Sequence, residues 1–274
     1  MAVPSAPMTQ PREAGEPRRS ALVTGASVGI GRAFAARLAR DDYDLVLVAR
    51  GAERLDALAR QLSEQRGITA RTLAADLTDP ADLARVEAEV RAHTPDLLVN
   101  NAGFGTVGRF ADLDLEAEER EVRLNVVALV RLTHAALRPM LERGSGSIVN
   151  VSSLAGESAT PFNATYGATK AFVTSFTEGL SEEMRGSGVR IQALLPGFTR
   201  TEFQQRAGLD TSSVPAIAWM QPEGVVEASL AGLEKGQVIC VPGLGNKLLA
   251  PLQRLLPRAL LRRAMGATLE RTLR

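Results

Sequence analysis

The chain holds only two tyrosines and three lysines in 274 residues, yet one of each stands four apart in Tyr166-Gly167-Ala168-Thr169-Lys170. Chance would put such a pair in about 2 of 100 chains of this composition, the product of the counts over the length. In a helix the i, i+4 spacing turns both side chains to one face. A phenol with its usual pKa of about 10 transfers protons poorly at neutral pH, and an adjacent ammonium favours the phenolate and lowers that value. The two residues therefore read as a proton-transfer couple, with Tyr166 as donor and acceptor. Arginine supplies 29 of the 32 basic residues, so a lysine here points to a chemical requirement rather than a compositional habit.

Two further polar residues stand where such a couple would need help. Ser153, thirteen residues before Tyr166, follows the apolar run 147–152, and its hydroxyl could hydrogen-bond a substrate oxygen. Ser152 competes for that task, and the spacing favours Ser153. Asn125 interrupts an otherwise apolar helical segment, Leu124-Asn125-Val126-Val127-Ala128, where a short amide lowers helix propensity and requires buried partners. It could hold a water.

Something must bring these positions to one crevice. From Ser20 onward, short Val-, Leu- and Ile-rich runs alternate with longer segments of helical period, the pattern of a parallel sheet with crossover helices. Seven strands are predicted, over 21–24, 45–49, 71–75, 97–100, 147–152, 190–195 and 238–241. The runs are apolar throughout, so helices should cover both faces of a doubly wound α/β sheet. In such a sheet ligands bind beyond the carboxyl ends of the strands.

The first strand end reads Thr24-Gly25-Ala26-Ser27-Val28-Gly29-Ile30-Gly31. Gly25 can supply a sharp turn, Gly29 close approach of a pyrophosphate, and Gly31 tight packing of helix on strand. Ser27, Ile30 and the helix N-terminus would complete a cofactor cradle. Glycines also serve as plain turn residues, and position after the first strand is what favours the nucleotide reading. The second strand ends at Arg50, where an acid would bind the ribose hydroxyls of NAD. An arginine suits the 2′-phosphate of NADP(H), which is therefore favoured, against the alternative of a solvated helix-start charge. Asp76-Leu77 and Asn101-Ala102-Gly103 end the third and fourth strands and could face the adenine and its ribose. Asp76 could equally cap the helix after Thr78.

Composition bounds the rest. A length of 274 residues suits one catalytic domain, and a net charge of +1 argues against nucleic-acid binding by bulk electrostatics. The single cysteine, Cys240, lies in an apolar strand-like run. Neither it nor His93 and His134 has metal-ligand spacing, so no metal is expected. Residues 1–19 read as a disordered leader. No apolar run approaches the roughly 20 residues that span a bilayer, which makes a cytoplasmic location the expectation.

Taken in order, Thr24-Gly25-x3-Gly29-x-Gly31, Asn100-Asn101-Ala102-Gly103, Asn125, Ser153, Tyr166-x3-Lys170 and Pro196-Gly197 resemble the short-chain dehydrogenase/reductase superfamily over about residues 20–243. The resemblance implies a single Rossmann-type domain in which Asn125, Ser153, Tyr166 and Lys170 form a catalytic tetrad. Lys170 and Tyr166 would also touch the nicotinamide ribose, and Pro196, Gly197, Thr199 and Thr201 would contact the nicotinamide and pyrophosphate. It implies an NADP(H)-dependent oxidoreductase that interconverts a ketone or 3-oxoacyl carbonyl and its alcohol. A non-catalytic NADP(H)-sensing or scaffold protein of the same fold is the alternative. A homodimer or homotetramer is implied through the helices bearing Asn125 and Tyr166.

The stretch after Thr201 reads as a substrate lid. With Phe198, it carries Phe203, Leu209, Val214, Ile217, Trp219 and Met220, which could line a pocket for a hydrophobic carbonyl compound or simply pack the lid down. Residues 244–274 hold seven basic residues against one acid, with leucines on one face. They read as a basic amphipathic helical extension that could contact a membrane surface, a partner subunit or its own domain.

Overall fold

The apolar runs pair into one all-parallel sheet. The strands are β1 Ser20–Thr24, β2 Asp44–Ala49, β3 Ala70–Ala74, β4 Leu97–Asn100, β5 Gly146–Val151, β6 Val189–Leu194 and β7 Ile239–Cys240. Their order is β3-β2-β1-β4-β5-β6-β7, so the winding reverses between β1 and β4 and opens a crevice there. The computed structural model describes residues 18–247 except Asp210 and Ser213. The expected leader over 1–19 and basic extension over 244–274 therefore fall mostly outside the described residues.

Each strand lies within two residues of its predicted span. The largest difference is β7, two residues where four were expected. It pairs on one side only, with β6, and Pro242 directly after Val241 has no N–H to extend the ladder.

The helices are α1 Gly29–Arg40, α2 Ala52–Arg66, α3 Pro80–Ala92, α4 Leu115–Val122, α5 Leu129–Arg143, α6 Ala164–Glu183, α7 Phe203–Arg206 and α8 Pro222–Glu234. Strand side chains alternate between two cores. Ala21 and Val23 of β1 join Leu97 and Val99 of β4 on one face, under Phe34 and Leu38 of α1 and Val225 and Leu230 of α8. Leu22 and Leu98 face the other way, onto Val86 of α3 and Leu132 and Met140 of α5. Burial on both faces is why the strands are apolar at every position.

Between α4 and α5 the helix does not break but widens into a π-helical segment, Arg123–Ala128. Such a segment inserts extra backbone and re-aims side chains, a common device at functional sites. Asn125 lies within it.

Candidate active site

The glycine turn joins β1 to α1. Gly25 and Gly29 have φ of +65° and +55°, and Gly31 lies so close to the strand that a Cβ there would stand 2.3 Å from the Gly25 carbonyl oxygen. Asn101, at the end of β4, fastens this turn from across the switch point: its Nδ2 donates to the carbonyls of Thr24 (2.9 Å) and Gly25 (3.3 Å). Thr24 Oγ1 accepts the N–H groups of Asn101 and Ala102, both at 3.0 Å. The residue that caps α1, Val28, offers no side-chain acceptor, so the helix presents its first N–H groups to whatever the turn cradles. These features fit a bound dinucleotide pyrophosphate.

A cleft of 1060 Å³ opens beside the turn, lined by Gly29, Arg32, Arg200, Thr201, Gln204 and Trp219 among others. Thr201 closes on the glycine turn, since a Cβ on Gly29 would meet its Cγ2 at 2.9 Å. Thr199 is buried and donates its hydroxyl to the Gly197 carbonyl (3.0 Å), while the Pro196 carbonyl accepts the Leu154 N–H (3.1 Å).

Arg50 stands exposed just past β2, with no ion-pair partner among the described residues. Asp76 does not cap a helix. Its Oδ1 accepts the N–H and hydroxyl of Thr78 (2.9 and 2.8 Å), and α3 is capped instead by Asp79, which accepts the N–H groups of Ala81 and Asp82. Proline at the first helical position explains why the cap falls at Asp79.

At the other side of the crevice, β5 ends in the two serines. Ser152 Oγ is turned inward, donating to the Lys170 carbonyl (2.7 Å) and lying 2.8 Å from Thr174 Oγ1, so it serves to seat α6. Ser153 Oγ accepts the Ala155 N–H (3.1 Å) and acts on the Tyr166 phenol, favouring its ionised form. The spacing preference for Ser153 agrees with this geometry.

Tyr166 and Lys170 lie on one face of α6, with Lys170 Nζ 5.6 Å from the phenol ring centroid. The expected lowering of the phenol is not what the structure holds. Burial pushes Tyr166 up to about 12, partly offset by Ser153 and raised further by Glu121 once that carboxyl is ionised. Lys170 is itself 5% exposed, its ammonium donates to the Val151 carbonyl (2.8 Å), and burial pushes it down to about 8 against the attraction of Glu121. Desolvation dominates, Lys170 is not among the groups that shift the phenol, and the phenol keeps its proton at neutral pH.

Asn125 finds the buried partners that its position demanded. Its Nδ2 donates to the Phe104 carbonyl (2.8 Å) and Thr169 Oγ1 (3.1 Å), and its Oδ1 accepts the Phe104 N–H (3.2 Å). Gly103 sits between Asn125 and Lys170: a Cβ there would reach Asn125 Oδ1 at 2.9 Å and Lys170 Nζ at 3.4 Å. Beneath them, Asn100 Nδ2 bonds Thr133 and Asn150, and Asn150 Nδ2 bonds Thr177, tying β4 and β5 to α5 and α6. In the segment expected to form a lid, Phe203 has its ring centroid 5.3 Å from that of Tyr166, whereas Phe198 and Trp219 pack on each other at 5.5 Å.

Three residues near this centre escaped sequence reasoning. Glu118 and Glu121 of α4 are buried around Thr106. In the sequence they belong to the charged run Glu116 to Arg123 and look like a solvated helix face; only the i, i+4 step from Glu121 to Asn125 hinted otherwise.

Comparison with known proteins agrees with this geometry. The family described as short chain dehydrogenase matches residues 19–211. A very-long-chain 3-oxoacyl-CoA reductase from Anas platyrhynchos is 33% identical over 229 residues, covering 81% of this chain and 72% of that protein. A short-chain dehydrogenase from Sphingobium yanoikuyae, solved in complex with NADPH, is 41% identical with a TM-score of 0.79, covering 86% of this chain and 94% of that one. A bulky-bulky ketone specific alcohol dehydrogenase from Comamonas testosteroni is 37% identical with a TM-score of 0.75, covering 86% and 93%.

Proposed function

The chain belongs to the short-chain dehydrogenase/reductase superfamily and is an oxidoreductase of CH–OH and C=O groups; from that premise we propose that it reduces a hydrophobic ketone or 3-oxoacyl compound, with Tyr166 as proton donor. The observation that carries this reading is that Ser153, at the carboxyl edge of β5, acts on the Tyr166 phenol, while buried Lys170 lies on the same face of α6.

Bound NADPH supplies the hydride. Tyr166, protonated at neutral pH because burial raises it, gives its proton to the carbonyl oxygen as negative charge develops there. The Ser153 hydroxyl donates to the same oxygen and holds it within reach. Lys170 remains mainly charged at neutral pH and favours the phenolate left behind. Asn125, fixed at three points, holds the Lys170 side of the site in register.

NADP(H) is proposed over NAD(H) because Arg50 stands exposed at the end of β2, where a guanidinium can fork onto a phosphate. The cradle would comprise Gly25, Ser27, Gly29, Ile30 and Gly31, with Asp76, Leu77, Asn101, Ala102, Gly103, Pro196, Gly197, Thr199 and Thr201 around it. A hydrophobic substrate is proposed because Phe203 packs beside Tyr166; the similar proteins named for a 3-oxoacyl-CoA and for bulky ketones fit that class.

A homo-oligomer is proposed on the stacked Phe172–Phe176 pair and on Phe172, Val122 and Val127, all about 40% exposed, along α4 to α6. Among the described residues no helix is long and apolar enough to cross a membrane. A panel of ketones and 3-oxoacyl thioesters, scored for NADPH oxidation, tests the reading.

A further inference from the structure

Two buried carboxyl groups meet on one hydroxyl beside the tetrad. Thr106, in the loop between β4 and α4, sets its Oγ1 against Glu118 Oε1 and 2.9 Å from Glu121 Oε2, and donates its N–H to that same Glu121 oxygen at 2.8 Å. Glu118 Oε2 takes the hydroxyl of Thr165, the residue before Tyr166. Glu121 is fully buried and Glu118 is 5% exposed.

One hydroxyl hydrogen between two buried carboxyl groups calls for a proton on one of them. Thr106 Oγ1 has one hydrogen and two carboxyl neighbours, so with both carboxylates ionised one contact would press a lone pair against an anion in a dry site. Both oxygens of Glu118 meet hydroxyls, of Thr106 and Thr165, whereas only one oxygen of Glu121 is bonded, so a proton is better placed on Glu121. Glu121 then donates from Oε2 to Thr106. Its Oε1, which has no hydrogen-bond partner among the described residues, becomes a neutral carbonyl oxygen, far cheaper to leave unpaired than an anionic one. Burial, with Glu118 adding repulsion, pushes Glu121 up to about 7, against the Thr106 hydrogen bonds and the pull of Lys170.

The loop held this way is the wall of the site. Phe104 makes both backbone bonds to Asn125, and Gly105 abuts the phenol so closely that a Cβ would stand 2.8 Å from Tyr166 Cδ2. Glu121 lies one helical turn before Asn125. The charged and titratable groups that act on it are Glu118 from its own helix and Lys170 and Tyr166 from α6. Resting on the reductase reading above, we propose that Glu121 is a positioning residue: its carboxylic proton, relayed through Thr106 to Glu118, clamps the 103–106 loop onto Asn125 and Tyr166, and its loss slows catalysis as pH rises through neutrality.

The test is the pH profile of kcat for carbonyl reduction, with Tm recorded across the same range, in the wild type, Glu121→Gln, Thr106→Val and Thr106→Ser. The wild type should lose rate in two steps as pH rises, one near 7 and one near 8 from Lys170. Glu121→Gln should lack the first step and keep the second. Because the folded state holds the Glu121 proton above the usual carboxylate range, wild-type Tm should fall relative to Glu121→Gln from pH 5 to 8. Thr106→Val should lose the first step and Thr106→Ser restore it, which keeps the proposal testable if Glu121→Gln does not fold. A folded Glu121→Gln with the wild-type pH profile, or a Thr106→Val that keeps the first step, overturns the proposal. A wild type that reduces no carbonyl but shows the Tm difference would count against the reductase reading and leave the buried proton supported.

Discussion

Gly31→Ala sets two effects of opposite sign against each other. Gly31 lies in α1, where alanine would gain about 1 kcal/mol of helix propensity over glycine. The new methyl would stand 2.3 Å from the Gly25 carbonyl oxygen and 2.4 Å from Asn101 Nδ2, about 1 Å inside ordinary contact. Neither neighbour can retreat: the carbonyl belongs to a turn with φ of +65°, and the amide is bonded to the carbonyls of Thr24 and Gly25. Overpacking of this kind costs typically 1–3 kcal/mol, and with backbone as the obstacle the upper end applies, leaving a net loss of about 2 kcal/mol. At roughly 2–4 °C per kcal/mol, Tm should fall by about 4–8 °C. As α1 tilts off the strand, its N-terminal N–H groups move with it, and NADPH binding should weaken by about tenfold or more. Gly179→Ala is the control: Gly179 lies in α6 with nothing within 4 Å of a new Cβ, so that variant should gain stability and bind NADPH as before. Thermal unfolding and NADPH fluorescence titration read both variants. A Gly31→Ala protein as stable as wild type, with unchanged affinity, would refute the argument that this glycine is set by close approach.

Arg50→Ala should raise the KM for NADPH about tenfold and leave that for NADH nearly unchanged, because only the former carries the phosphate that the guanidinium would bind; steady-state kinetics with both cofactors checks it. Asn125→Ala strands the N–H and C=O of Phe104 without partners and should cost about 1–3 kcal/mol in urea unfolding, with kcat falling alongside. Lys170 is pushed down to about 8 by burial, below its unfolded value of about 10.4, so the folded state binds fewer protons between those values. Stability should therefore rise from pH 8 to 10, and Lys170→Met should abolish that rise in urea midpoints taken at the two pH values.

Sequence patterning carried the architecture because both sheet faces are buried, which forces continuous apolar runs that are easy to recognise. The proposed cofactor cradle was sought at the strand ends for the same reason: chemistry in a doubly wound sheet collects there. Ser153, Tyr166 and Lys170 were legible through spacing and scarcity, and Asn125 through its misfit in an apolar helix. The π-helical widening that accommodates Asn125 was not, since it arises from tertiary contacts with Phe104 and Thr169 that no local periodicity records. Nor was the acidity of Tyr166: the pairing with Lys170 suggested a lowered phenol, but desolvation depends on Phe203, Gly105 and the surrounding helices, which sequence spacing does not reveal. Glu118 and Glu121 looked like surface charge because burial of an acid cannot be read from a charged run.

The central claim is that Tyr166 protonates a carbonyl oxygen while NADPH is oxidised. Single-turnover NADPH oxidation with a hydrophobic ketone, comparing wild type and Tyr166→Phe at pH 7, tests it most directly. Loss of the general acid should slow the chemical step by about 10²–10⁴-fold, with NADPH affinity measured separately and retained. A Tyr166→Phe protein that binds NADPH and reduces the ketone at the wild-type rate would contradict the assignment.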